Sequence, residues 1–233
     1  MRRFIAVCLT AAATVVPLAA PANAGATVVS FDFAGRLAEA AWTTCPAPAV
    51  GDICTDTVLI TSDSALRERN TAEGFSERTS SDRVVLRQFV YEVVEDPEFG
   101  GLTTRPVLEL FGGTTDATVT IQPRLRTATA TAAVPMSVCW SPDDAVCAAL
   151  EGTVIDVAAH WQADGELQRI DQRETFGDRT TRYRGYTQGW ERRASATATL
   201  DGVPVPGVLV AEYTVLTSVR QGELQVYTGA PRP

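Results

Sequence analysis

The chain has 233 residues, and its 28 acidic residues outnumber its 20 basic ones, giving a formal net charge of −8. This balance argues against nucleic acid and anionic membranes as partners, because their phosphates attract clustered cations. Lysine is absent, which excludes Schiff-base chemistry on a lysine side chain.

Residues 1–24 have the pattern of a secretory signal peptide. Arg2 and Arg3 come first, an apolar run from Phe4 to about Ala20 follows, and Ala22-Asn23-Ala24 supplies a cleavage site. A membrane anchor is the alternative, but the run is shorter than the roughly 20 apolar residues that span a bilayer. We therefore expect a secreted, extracellular protein with no transmembrane segment after cleavage.

Four cysteines remain after cleavage, namely Cys45, Cys54, Cys139 and Cys147. An even number in an oxidising compartment favours two disulfides. We expect the local pairs Cys45–Cys54 and Cys139–Cys147, because each closes a short loop in a matching context. Zinc is a weaker alternative, since these spacings are wider than those of common zinc sites.

Alternating apolar and polar residues predict short strands along the mature chain. Turn residues such as Gly112-Gly113 and Asp201-Gly202 separate these strands. In chain order the predicted strands are Thr27–Phe33, Arg36–Trp42, Thr57–Thr61, Asp82–Val94, Pro106–Phe111, Ala117–Gln122, Leu125–Val134, Gly152–Trp161, Leu167–Glu174, Arg179–Trp190, Ala194–Leu200, Gly207–Val219 and Glu223–Tyr227. The pattern predicts an all-β fold built as an antiparallel β-sandwich.

A weak internal repeat suggests two similar units. An offset of 96 residues places Thr57-Val58-Leu59-Ile60 over Thr153-Val154-Ile155-Asp156 and Asp82-Arg83 over Asp178-Arg179. We predict β-sandwich units at 25–122 and 123–233, packed together, and the alternative is one large duplicated sandwich. The pattern resembles secreted bacterial immunoglobulin-like sandwiches in broad outline.

Motifs for catalysis or metal binding are sparse. His160 is the single histidine, and no G-x-S-x-G elbow accompanies it. Acidic residues such as Glu92, Glu95 and Asp143-Asp144 could serve a glycoside hydrolase only if two faced each other across a cleft. We predict no catalytic residue, no metal and no cofactor from these signals.

The segment Arg179–Arg193 departs from a plain strand because aromatic and arginine residues alternate within it. Flat rings stack on sugars or on partner residues, and guanidinium groups bind carboxylates. In the competing interpretation, the rings lie in the hydrophobic core and the arginines form ion pairs with nearby acids. Our candidate ligand-binding residues are Tyr183, Tyr186, Trp190, Arg182 and Arg184.

The sequence thus predicts a secreted or cell-envelope-associated binding protein without catalytic activity, whose ligand is a carbohydrate or a protein. One alternative is an extracellular hydrolase that uses acidic residues. The other is a secreted protease inhibitor that presents a loop closed by a disulfide, such as Cys45–Cys54.

Overall fold

The structure is a computed structural model that describes residues 27–98, 100–140, 146–178 and 181–227. Within these ranges the chain forms antiparallel strands and one short 3₁₀ helix, Ala211–Tyr213, and no helix is long and apolar enough to cross a membrane. The strands are β1 Thr27–Thr43, β2 Ile53–Asn70, β3 Phe75–Glu95, β4 Leu102–Thr114, β5 Ala117–Ile121, β6 Thr127–Trp140, β7 Val146–Gly177, β8 Thr181–Leu200, β9 Val203–Pro204, β10 Val208–Leu209 and β11 Val215–Tyr227.

The sheet closes on itself through β1. One side of β1 pairs with β11, from Thr27 opposite Tyr227 to Glu39 opposite Val215. The other side pairs with β2, from Val29 opposite Asn70 to Thr43 opposite Asp56. Among the described residues the hydrogen-bonded path therefore runs β1-β2-β3-β4-β6-β7-β8-β11 and returns to β1, as in a barrel.

The all-β, antiparallel part of the predicted fold is confirmed, whereas the immunoglobulin-like sandwich is not. A sandwich has two facing sheets with separate edges, but here the strands of 25–122 and 123–233 join one sheet through the β4–β6 and β1–β11 pairs. The boundary between two units and the duplication stay predictions. The predicted signal peptide, 1–24, lies outside the described residues, so export also stays a prediction.

The closed part of the sheet surrounds one hydrophobic core. Its largest fully buried side chain is Trp161 on β7, whose indole Nε1 donates a hydrogen bond to the backbone oxygen of Glu39 on β1 at 3.0 Å. This bond satisfies the polar atom of a buried indole and links β1 to β7. Strands from both halves of the chain contribute to this core, which includes Trp42, Leu59, Leu86, Val134, Val157, Ala198 and Leu216.

Strand β5 covers one end of this core. Val119 and Ile121 of β5 are buried, and β5 pairs with β6 along one edge. Side chains satisfy its other edge: the Asp82 carboxylate accepts a hydrogen bond from the Val119 N–H at 3.0 Å, and the Arg36 guanidinium donates to the Ile121 carbonyl at 2.6 Å. Charged groups at this level therefore mark the boundary between the core and the rest of the sheet.

One of the two predicted disulfides is present. Cys45 and Cys54 are bonded across the β1–β2 hairpin, with their Cα atoms 5.6 Å apart. In the β6–β7 hairpin the backbone register places Cys139 opposite Cys147. The side chains of Cys139 and Cys147 are not among those that the structure describes, so the second disulfide stays a prediction.

We expect replacement of Trp161 by Ala to destabilise the protein strongly. The change removes a fully buried ring and leaves the Glu39 carbonyl without its indole donor, so the free energy of unfolding should fall by about 3–5 kcal/mol. Urea denaturation measures this change. Trp190→Ala is the matched control, because Trp190 is 46% exposed, and an equal loss in both variants would contradict this account of the core.

Glu39 should make the stability of the protein depend on pH. Burial, and secondarily the nearby Glu191 carboxylate, raises the pKa of Glu39 above its ordinary value of 4.5. The folded state then holds the Glu39 proton more tightly than the unfolded state does. The stability that this proton contributes is therefore fully present below pH 4.5 and is lost as the pH rises through the raised pKa. Glu39→Gln should therefore stabilise the protein at neutral pH but not at pH 4, by an amount on the order of 1 kcal/mol.

Thermal denaturation at a series of pH values tests this. Glu191→Gln should also stabilise the protein at neutral pH, but by less, because it removes only the repulsion between the two carboxylates and leaves Glu39 buried. A difference between Glu39→Gln and the parent protein that does not change with pH would show that the Glu39 carboxyl is not the titrating group.

Candidate functional site

Beyond the closed part, the sheet continues as an open shell of six strands. Residues 75–83 of β3 pair only with β2, and residues 164–177 of β7 pair only with β8. Among the described residues the outer edges of these two segments have no strand partner. The shell therefore has the order β3-β2-β1-β11-β8-β7, and the face that continues the inside of the closed sheet is its concave face.

The strand registers show which side chains share this concave face. Core residues Val84, Thr61, Ala38 and Leu216 lie opposite one another, and side chains two, four, six and eight residues further along each strand stay on the same face. We call this face the arginine trough. Its outer two cross-strand rows contain Arg78, Arg67, Asp32, Gly222, Tyr186 and Arg173, then Ser76, Arg69, Ser30, Leu224, Arg184 and Thr175.

Two adjoining cavities lie in the arginine trough, and Asp32 and Arg67 line both. The larger, of about 550 Å³, extends toward β3 and is also lined by Ala34, Ala65, Arg78 and Arg220. The smaller, of about 340 Å³, extends toward β8 and is also lined by Arg69, Arg184, Tyr186, Gly222 and Leu224. Short side chains form much of the floor, which leaves room for a ligand between the long arginines.

Asp32 lies at the centre of a hydrogen-bonded group that joins three strands. The Arg220 guanidinium donates to both carboxylate oxygens, with Nε 3.3 Å from Oδ1 and Nη2 3.1 Å from Oδ2. The Tyr186 hydroxyl donates to Oδ1 at 2.9 Å. The bond from Arg220, followed by that from Tyr186, lowers the pKa of Asp32 despite partial burial. Burial and the Asp32 carboxylate raise the pKa of Tyr186.

Gly222 makes the Tyr186–Asp32 bond possible. Gly222 on β11 lies between Asp32 on β1 and Tyr186 on β8, and the Tyr186 ring crosses over it to reach the carboxylate. A Cβ atom at position 222 would overlap the ring. Glycine is therefore required here for a close approach, as at other sites where a side chain passes over a strand.

The acids of the arginine trough are all engaged, whereas several of its arginines are not. Asp32 binds Arg220 and Tyr186, Asp63 binds Arg36 at 2.5 Å, and Asp82 caps β5. Asp171 binds Arg169 at 2.9 Å and Arg173 at 3.4 Å. Within the described part of the chain no hydrogen bond or ion pair holds the guanidinium groups of Arg67, Arg69, Arg78 and Arg184, and Arg67 has only the electrostatic attraction of Asp32.

Glu77 and Glu223 line the cavities but lie at strand positions that alternate away from the arginine trough. Burial, and secondarily the negative charge of Glu223 on that opposite face, raises the pKa of Tyr183. The trough is therefore locally cationic in a protein whose net charge is −8.

The predicted ligand-binding residues divide between the two faces of β8. Tyr186 and Arg184 line the smaller cavity. Trp190 lies on the trough face nearer the core, and Arg182 lies beyond the cavity at the open end. Tyr183 is on the opposite face, where its ring stacks on Phe176 with centroids 4.3 Å apart. Whether these residues bind a ligand stays a prediction.

Sequence reasoning missed Asp32, Arg67, Arg69, Arg78 and Arg220. The available signal was the alternation of arginines in Arg67-Glu68-Arg69 and Glu77-Arg78, which places them on one face of two adjacent strands.

His160 is exposed and pairs with Thr129 and Thr197 on neighbouring strands. The described residues contain no group of three or more histidine, cysteine or acidic residues placed to hold a metal ion.

Comparison with known proteins gives little similarity. No protein-family model matches the chain, and no curated protein matches it. One solved structure, an acetoacetate decarboxylase-like enzyme from Sphingomonas wittichii RW1, aligns with 88% of this chain and 92% of its own at 9% identity and a TM-score of 0.24. A TM-score this low assigns neither fold nor reaction.

The predicted function is corrected in its claim about catalysis. The sequence predicted a secreted or envelope-associated binding protein without catalytic activity, whereas the aligned structure is that of an enzyme. The prediction was drawn from the absence of familiar catalytic motifs, and such motifs are specific to particular families, so their absence does not show that a chain lacks activity. We therefore do not describe the chain as non-catalytic.

We expect Gly222→Ala to disrupt the Tyr186–Asp32 bond. The added methyl group overlaps the Tyr186 ring, so the free energy of unfolding should fall by about 1–3 kcal/mol. The pKa of Tyr186 should move down toward its ordinary value, because the contact with Asp32 helps to raise it. Ultraviolet absorbance titration measures this shift, with Tyr186→Phe identifying the signal.

Gly113→Ala is the matched control, since a Cβ atom there meets only ordinary contacts, the nearest at 3.6 Å. In a Tyr186→Ala background the Gly222→Ala change should cost much less, because the ring is gone. An unchanged cost in that background would show that the two residues do not interact.

Proposed function

We propose that this protein binds a small organic anion in the arginine trough, through a carboxylate or phosphate group. The planar guanidinium fork matches both groups with paired hydrogen bonds. Arg67, Arg69 and Arg78 form the primary anion site, and Arg67 is its central member because it lines both cavities.

The observation that carries this proposal is the cross-strand pair of Arg67 and Arg78. These residues lie directly opposite each other on β2 and β3, and Arg69 is opposite Ser76 in the next row. Like charges placed directly opposite destabilise a sheet. Asp32 lies opposite Arg67 on β1 and attracts it, but its carboxylate is bonded to Arg220 and Tyr186. No described acid of the trough face forms an ion pair with Arg67 or Arg78, so a bound anion is the group that would relieve this repulsion.

The Asp32 group supports recognition of an anion. At neutral pH the lowered pKa of Asp32 keeps it ionised, and the raised pKa of Tyr186 keeps its hydroxyl protonated. Their bonds therefore persist and fix Arg220 at the edge of the larger cavity. The site is organised before the ligand arrives, which reduces the entropy lost on binding.

We expect Arg67→Gln to weaken anion binding about tenfold or more, since a hydrogen bond to a charged group contributes roughly 1.5–3 kcal/mol. Isothermal titration calorimetry with butyrate and with inorganic phosphate tests this at low salt. Added sodium chloride should weaken binding to the parent protein, because it screens the charges.

Arg126→Gln is the matched control, because Arg126 is exposed and lies outside both cavities. Arg67→Gln should fold as stably as the parent protein, since it removes a like-charge contact. Absence of binding by the parent protein, or equal loss in both variants, would refute the proposed function.

A further inference from the structure

A second cationic group lies across the smaller cavity from the primary anion site. The strand registers place Arg69, Ser30, Leu224 and Arg184 in one row across β2, β1, β11 and β8. Arg69 and Arg184 are thus three strand spacings apart, about 14 Å along the sheet. Both line the same cavity, so the two side chains flank one space.

Arg184 has no acidic partner on its own face. Glu223 borders the cavity but lies at a strand position on the opposite face, near Tyr183, and Asp32 is bonded to Arg220 and Tyr186. The Arg184 guanidinium is without a hydrogen bond or ion pair to any residue that the structure describes. Two arginines without ion pairs at opposite ends of one cavity match two separate negative charges.

The floor between the two arginines is short and largely uncharged. It includes Ser30, Gly222 and Leu224, with the Tyr186 ring lying over Gly222. The one carboxylate of the trough face that lines it, Asp32, is neutralised by Arg220. Leu224 is 37% exposed, so it offers an apolar contact in the middle of the cavity. A ligand that fits carries its charges at its ends and an apolar segment between them.

We propose that the ligand is a linear dianion, such as an α,ω-dicarboxylate, with one anionic group on the Arg67, Arg69 and Arg78 cluster and the other on Arg184. This inference rests on the proposed function, because it assigns the second half of the same site. Arg184 is the residue that distinguishes dianions from monoanions.

Calorimetric titration with adipate and with its monoamide, adipamate, tests the inference, because the two have the same length and differ by one charge. The parent protein should bind adipate at least tenfold more tightly than adipamate. Arg184→Gln should reduce that ratio to about one, because it weakens adipate binding much more than adipamate binding. Arg67→Gln should weaken the binding of both.

Arg193→Gln is the matched control, since Arg193 is on the same strand, is exposed and lines neither cavity. It should leave the ratio unchanged, which separates a specific contact from a general charge effect. If adipamate binds in an Arg67-dependent way but adipate binds no more tightly, the dianion inference is wrong and the proposed function stands. If neither compound binds, the proposed function itself fails.

Discussion

The double pairing of β1 is the constraint on which the rest of the structure depends. β1 is hydrogen-bonded to β11 on one side and to β2 on the other, and this joins the N-terminal half of the sheet to the C-terminal half. Closure places one face of every strand inside, where Trp161 and its neighbours exclude water. Without it the sheet would have two further open edges and the core would face solvent.

The same strands form both the core and the arginine trough, and the difference between them is set by position along each strand. On β1 the inner face carries Ala38 and Ala40 in the core and then Arg36, Ala34 and Asp32 toward the open end. β5 lies at the transition, held by Asp82 and Arg36. Buried charges are costly unless paired, and at this level Arg36 forms an ion pair with Asp63.

Much of the fold could be predicted from the sequence, but its closure could not. Alternation identified most strands and their antiparallel class, and the cysteine spacing identified the Cys45–Cys54 bridge. The sequence predicted no strand between Thr61 and Asp82, yet residues 62–81 form the outer part of the β2–β3 hairpin. Side chains on both faces of this part are largely exposed, so no apolar alternation reveals the strands. Pairing between strands far apart in sequence, such as β1 with β11, depends on tertiary packing and leaves no local pattern.

The candidate site was predictable only on β8. Tyr186 and Arg184 were found because aromatic and arginine residues are adjacent in the sequence there. Asp32, Arg67 and Arg220 come from three other strands, and only the register brings them together. The trough shares no side chain with the hydrophobic core. The arginines that make no ion pair there, such as Arg67 and Arg184, can therefore be exchanged in evolution at little cost to folding, so related chains could keep this architecture while they acquire different ligands.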